Sequence, residues 1–224
     1  MTSSSITISP ANTVGFPTPA GQRSTSAAIR EWNLGNDVFV KAETQNNLGK
    51  ALAKLSQLKW GPEKISLARE AVPAFDRAIL EWDQELERRS SAVQVSLKTL
   101  KTHNIVLMRA AAQANLGNAL VLLSDGGAEK QALQRAIDVY RSALHVFQQS
   151  GNSRQQAMTM NNSGNSMTLL AEIDNDPNPL RYALEYLRNA LCLYEKMNDI
   201  QNSERVTMDL DTAEILLRSL RQIH

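Results

Sequence analysis

Thr44–Leu52 reads TQNNLGKAL, and Gln113–Leu120 returns the phrase as QANLGNAL. A blurred copy, MNNSGNSM, fills Met160–Met167, and a weaker echo, MDLDTAEILL, begins at Met208. The last three copies are spaced by 47 residues, so that Leu116 aligns with Ser163 and Ser163 with Leu210. Self-similarity at a fixed period of tens of residues marks stacked supersecondary units, each too small to bury its apolar face alone. This pattern predicts an all-α repeat before any local propensity is consulted.

A second stripe follows each phrase. Ala136, Tyr140, Ala143, Leu144 and Phe147 return 47 residues later as Ala183, Leu187, Ala190, Leu191 and Tyr194. An earlier version is Ala71, Phe75, Ala78, Ile79 and Trp82. Spacings of three and four put each set on one helical face, and small Ala beside a large residue suits two close-packed helices. On the first helix of each pair, Gly49, Gly117 and Gly164 stand in the interior, where Gly costs about 1 kcal/mol relative to Ala. A repeated cost implies a use, and the expected one is close approach by a neighbouring helix backbone. Asp211 takes the slot in the fourth copy and would block that approach, so a helix over about 202–221 is expected to cap the stack.

Turn signals separate the helices. Gly61-Pro62, Gly126-Gly127 and Asp176-Pro177-Asn178-Pro179 each read as a helix end, a turn and a new start. Pro73 falls inside the second stripe and is expected to kink that helix or to mark its beginning. Ala28, Ile29 and Trp32 mirror Ala78, Ile79 and Trp82, which makes residues 25–35 a half repeat lacking its first helix. Trp82 and Leu116 are 34 residues apart, against 16 between Phe147 and Ser163. The excess is about five helical turns, which lengthens both helices without changing their phase. Val93, Leu97 and Leu100 continue the stripe, so an elongated hairpin is expected near 83–110, bending at Ser90–Ser91 or Thr102–Asn104. The domain organisation is then a tail at 1–24 and one solenoid at 25–224, with repeats at 37–90, 91–150 and 153–198.

Composition narrows the function classes. Among 224 residues, 24 basic and 23 acidic side chains nearly cancel, so no global field draws the chain to nucleic acid or anionic membrane. A single cysteine, Cys192, rules out an internal disulfide framework and suits a reducing cytoplasm. No apolar run is expected to approach the roughly 20 residues that span a bilayer. The first 22 residues carry no charge, and Met1–Ser26 holds 11 Ser or Thr with Pro10, Pro17 and Pro19. Such a stretch cannot bury enough apolar surface to offset its ordering entropy and reads as a flexible tail. The same composition resembles export signals of type III secretion substrates and, loosely, plastid transit peptides.

Leu48-Gly49 and Leu116-Gly117, followed by Ala71/Phe75/Ala78 and Ala136/Tyr140/Ala143, resemble the consensus of tetratricopeptide repeats. With its longer turn, the unit is similar to the long-period repeats of cyanobacterial and other bacterial multidomain proteins. The resemblance covers roughly 28–221 and implies a right-handed α-solenoid of about seven to nine helices. Apart from it, nothing in the sequence places a nucleophile, a base and a water-excluding pocket together, so neither catalysis nor a cofactor is expected. The resemblance further implies that the first helices line a concave groove whose Asn side chains grip the backbone of a peptide or protein partner. Asn47, Asn115 and Asn162 stand two residues before each Gly, and Lys50, Asn118 and Asn165 immediately after it. An amide both donates and accepts, so such a set can hold peptide bonds without reading side chains. Only Lys50 matches the family's carboxylate-clamp cations, which disfavours chaperone C-terminal tails.

Other chemistry finds little support. Asp174, Asp176, Asn178 and Glu185 have the spacing of a calcium loop, but Pro179 stands where that loop needs Gly, and a helix start capped by Asn178 explains the same residues. His103, His145 and His224 share no face, and no base is placed beside Cys192. The reading is an adaptor or scaffold. Its rivals are a self-assembling solenoid, in which one copy's start completes another's end, and a secreted effector that binds a host protein.

Overall fold

Apolar residues at helical spacing form seven α-helices in the computed structural model, which describes residues 38–90, 98–124 and 129–223. They are α1 (Val38–Gln57), α2 (Gly61–Ser90), α3 (Lys98–Ser124), α4 (Glu129–Gln149), α5 (Ser153–Asp174), α6 (Asn178–Lys196) and α7 (Ile200–Ile223). No strand occurs among the described residues. The tail at 1–24, the half repeat at 25–35, Val93, Leu97 and the Gly126-Gly127 turn lie outside them.

Each helix packs on the next in sequence, and the odd helices also meet one another, α1 with α3, α3 with α5 and α5 with α7. The chain is a helical repeat, an α-solenoid of stacked hairpins with the odd helices as one layer. The stripes place the core between layers: Ala136, Tyr140, Ala143, Leu144 and Phe147 of α4 are buried, as are Ala183, Leu187, Ala190 and Tyr194 of α6. α5 is packed on several sides and buries hydroxyls too. Thr159, Ser166 and Thr168 each donate to the carbonyl four residues back, at 2.7, 2.8 and 3.0 Å, which satisfies them without a second helix.

The glycines are used differently from the expectation. A side chain of the following helix closes on each of them, and only at Gly164 does a backbone atom also come near, the Ala183 carbonyl oxygen at 3.2 Å from where a Cβ would lie. A Cβ on Gly49 would lie 2.7 Å from the Phe75 ring, one on Gly117 2.4 Å from the Tyr140 ring, and one on Gly164 2.8 Å from Leu187 Cγ. Each glycine is a hole for the large residue of the facing stripe. Such knobs bury more apolar area than a backbone contact would, and this offsets the helix-propensity cost.

Pro73 does not begin a helix, because α2 runs from Gly61 through it to Ser90. Burying Ala71, Ala74 and Phe75 on both sides of the ring offsets the roughly 3 kcal/mol that an interior proline costs. The hairpin of α2 and α3 is the elongated one, with helices of 30 and 27 residues. The alternative bend at Thr102–Asn104 is excluded, since those residues are helical, while the expected bend at Ser90–Ser91 reaches beyond the described residues at Ser91. The start of α6 also departs from expectation: Asp176, not Asn178, supplies the capping oxygen, accepting from the Asn178 amide N at 2.9 Å and its Nδ2 at 2.7 Å.

One further expectation is corrected. His103–Ser124 of α3 is, by length and composition alone, apolar enough to cross a membrane, with a mean hydropathy of 1.3. Alanines and the scattered Asn115 and Gln113 hide this in a residue-by-residue reading. In the fold, its Leu116, Ala119 and Leu120 pack against Ala71, Phe75, Ala136 and Tyr140, as a core helix does.

Candidate functional site

The odd-helix layer contains a shallow recess of about 360 Å³. α3 contributes Asn118, Val121 and Leu122, α5 contributes Met158, Asn162, Asn165 and Ser166, and Gln57, Tyr140 and Arg205 complete the lining. Three of the six residues singled out in the sequence therefore come together. Asn47 and Lys50 are exposed on α1, and Asn115 is half-buried on α3; none of the three lines the recess.

The amides are linked to one another. Asn162 Nδ2 donates to Asn118 Oδ1 at 2.8 Å, and the Tyr140 hydroxyl donates to the same oxygen at 2.7 Å. One layer further on, Asn165 Nδ2 donates to Asp209 Oδ2 at 2.8 Å. The residue after the glycine of one helix thus bonds the residue two before the corresponding slot of the next. These bonds fix side-chain orientation and join the odd helices. They leave each α5 amide an N–H and its oxygen for another partner, since a primary amide has two donors and two lone pairs. Beside this polar row stand Val121, Leu122 and Met158, so the recess is amphipathic.

Electrostatics add one feature. Arg205 is the charged residue among those lining the recess. Burial pushes the Tyr194 phenol above its ordinary pKa, and the Arg205 guanidinium partly opposes that. Burial likewise raises the Tyr140 phenol, which stays protonated and serves Asn118 as a donor only. Sequence reasoning missed Asp209, although it occupies the slot of Asn115 and Asn162 in the fourth copy. It also missed Val121, Leu122, Met158 and Arg205, for which no sequence signal distinguishes lining from core or surface.

The residues with calcium-loop spacing have other partners: Lys130 pairs with Asp174 at 2.8 Å, and Asp176 caps α6. Among the described residues, no group of three or more His, Cys, Asp or Glu is placed to hold a metal ion. Cys192 is an exposed free thiol.

No protein-family model and no curated protein matches the chain. Among solved structures, the crystal structure of a de novo designed helical repeat protein is similar, at 15% identity and a TM-score of 0.37, covering 83% of this chain and 95% of the designed one. A likeness of that grade says nothing about ligand or activity.

Proposed function

We propose that the chain is a non-catalytic interaction scaffold of the tetratricopeptide type, with a 47-residue repeat, that holds an extended peptide of a partner protein in the odd-helix recess. The observation that carries this reading is the row of oriented amides, Asn118, Asn162 and Asn165, beside Val121, Leu122 and Met158. Unspent amide donors and acceptors suit peptide N–H and C=O groups, and the apolar strip suits one or two side chains of the ligand. Arg205 makes a neutral or singly acidic peptide a better occupant than a basic one.

Selection from a random-peptide display library against the full chain tests this. Peptides enriched on the wild type should bind Asn162→Ala/Asn165→Ala at least tenfold more weakly, with helicity by circular dichroism unchanged. Asn118 is left intact, because the Tyr140 hydroxyl depends on it. Enriched peptides that bind both proteins equally would remove the recess from the reading.

A further inference from the structure

α7 buries one side and leaves the opposite side bare. Val206, Leu210, Ala213 and Leu220 join the core, whereas Ile200, Met208 and Ile215 are 72%, 69% and 65% exposed. At 3.6 residues per turn these three fall with Glu204 and Asp211 inside roughly 80° of arc. Single exposed apolar residues are ordinary, but three along one stripe form a patch that marks a contact surface. Among the described residues, neither Glu204 nor Asp211 is in an ion pair. The cation at the C-terminal end of the stripe, Arg218, is held by Glu214, which also takes Arg188. At the N-terminal end, a recess of about 330 Å³ between α6 and α7 adds Glu195 to the acidic side chains.

The rest of the fold shows what kind of element such a face receives. α1, α3 and α5 each accept a side chain of the following helix in one slot: Phe75 on Gly49, Tyr140 on Gly117, Leu187 on Gly164. The spacing that carries Gly117 onto Gly164 carries Gly164 onto Asp211. A carboxylate covered by an aromatic ring or a leucine would lose its water without gaining a partner. Covered by a lysine or arginine, it gains a charge-assisted hydrogen bond.

We propose that this face docks a basic amphipathic helix of a partner protein. The helix lies on α7 as α2, α4 and α6 lie on α1, α3 and α5, with Lys or Arg over Asp211 and apolar side chains on Met208 and Ile215. The surface is separate from the amide recess and does not depend on it.

The probe is a synthetic peptide with the sequence of residues 178–196, stapled on its outer face to hold it helical, carrying Cys192→Ser and either Leu187→Arg or Leu187→Glu. Binding to the full chain is followed by fluorescence anisotropy. The Arg peptide is expected to bind at least tenfold more tightly than the Glu peptide, and Asp211→Lys in the protein to reverse that order. Met208→Ala/Ile215→Ala, which alters only exposed side chains, should weaken the Arg peptide at least tenfold. Equal binding of the two peptides, indifference to Asp211→Lys, or no binding below millimolar peptide overturns the proposal. Sedimentation that shows wild-type chains associating at micromolar concentration, and Asp211→Lys chains not, would make the occupant a second copy and overturn it as well.

Discussion

At Gly117 two opposing effects can be weighed. Alanine would raise helix propensity by about 1 kcal/mol. Its Cβ would also sit 2.4 Å from a Tyr140 ring that is buried and whose hydroxyl is tied to Asn118. The ring cannot swing away without losing that bond, so the steric term wins. Overpacking of a filled core costs roughly 1–3 kcal/mol, and we expect Gly117→Ala to destabilise by about that amount in urea unfolding. Tyr140→Leu frees the hole at the expense of the hydrogen bond. The double variant should therefore lose less than the sum of the single losses, as contacting residues do. Additive losses would show that the ring and the glycine do not share the space described here.

Helices as elements were legible in the sequence where their signal is local. The Ala/aromatic stripes of α2, α4 and α6 need only the 3.6-residue period to be read, and they reappear as the buried faces. Caps were less legible, because Asp176 and Asn178 are both good acceptors two residues apart and only the turn geometry chooses between them. The glycines announced a contact without revealing its kind, which depends on the register between helices. The same limit applied to the site: Asn118 and Asn162 stand out as polar residues beside a repeat glycine, but Arg205 reaches the recess from an element far along the chain. A testable case at this scale is the start of α7. Asp199 accepts from the Asn202 amide N at 3.3 Å and its Nδ2 at 2.9 Å, and pairs with Arg154 of α5 at 2.9 Å. The Asn202 side chain, then its backbone N–H and Arg154, hold the carboxyl below the ordinary carboxylate range against some desolvation. A depressed carboxyl stabilises the fold above its unfolded pKa, about 3.9, and that contribution is lost as pH falls through the folded value. Asp199→Ala should therefore melt below the wild type at pH 7, with the gap closing below about pH 4 in calorimetric scans. A gap that persists in acid would assign the effect to something other than the charged cap.

For the whole molecule, the contact pattern decides how damage spreads. Each helix touches its sequence neighbours, and odd helices touch the next odd helix. No described core cluster runs the length of the stack. Phe75 belongs to a group with Leu116, Leu120 and Tyr140, whereas Leu187 belongs to one with Tyr194, Val206 and Leu210. In a solenoid, stability is close to a sum of unit and nearest-neighbour terms, so loss at one end need not unfold the other. Phe75→Ala empties the hole over Gly49 and should cost about 3–5 kcal/mol where it acts. Hydrogen exchange read by mass spectrometry should then show amides of α1, α2 and α3 losing most of their protection, while those of α5, α6 and α7 keep theirs within a factor of a few. The reciprocal substitution, Leu187→Ala, should invert the map. Uniform loss of protection from either variant would mean that the stack folds as one cooperative unit. A local response in both would show a stack that behaves as a sum of neighbouring units: the α5 amides and the α7 face, which share the C-terminal unit, would be loosened together by Leu187→Ala and spared by Phe75→Ala.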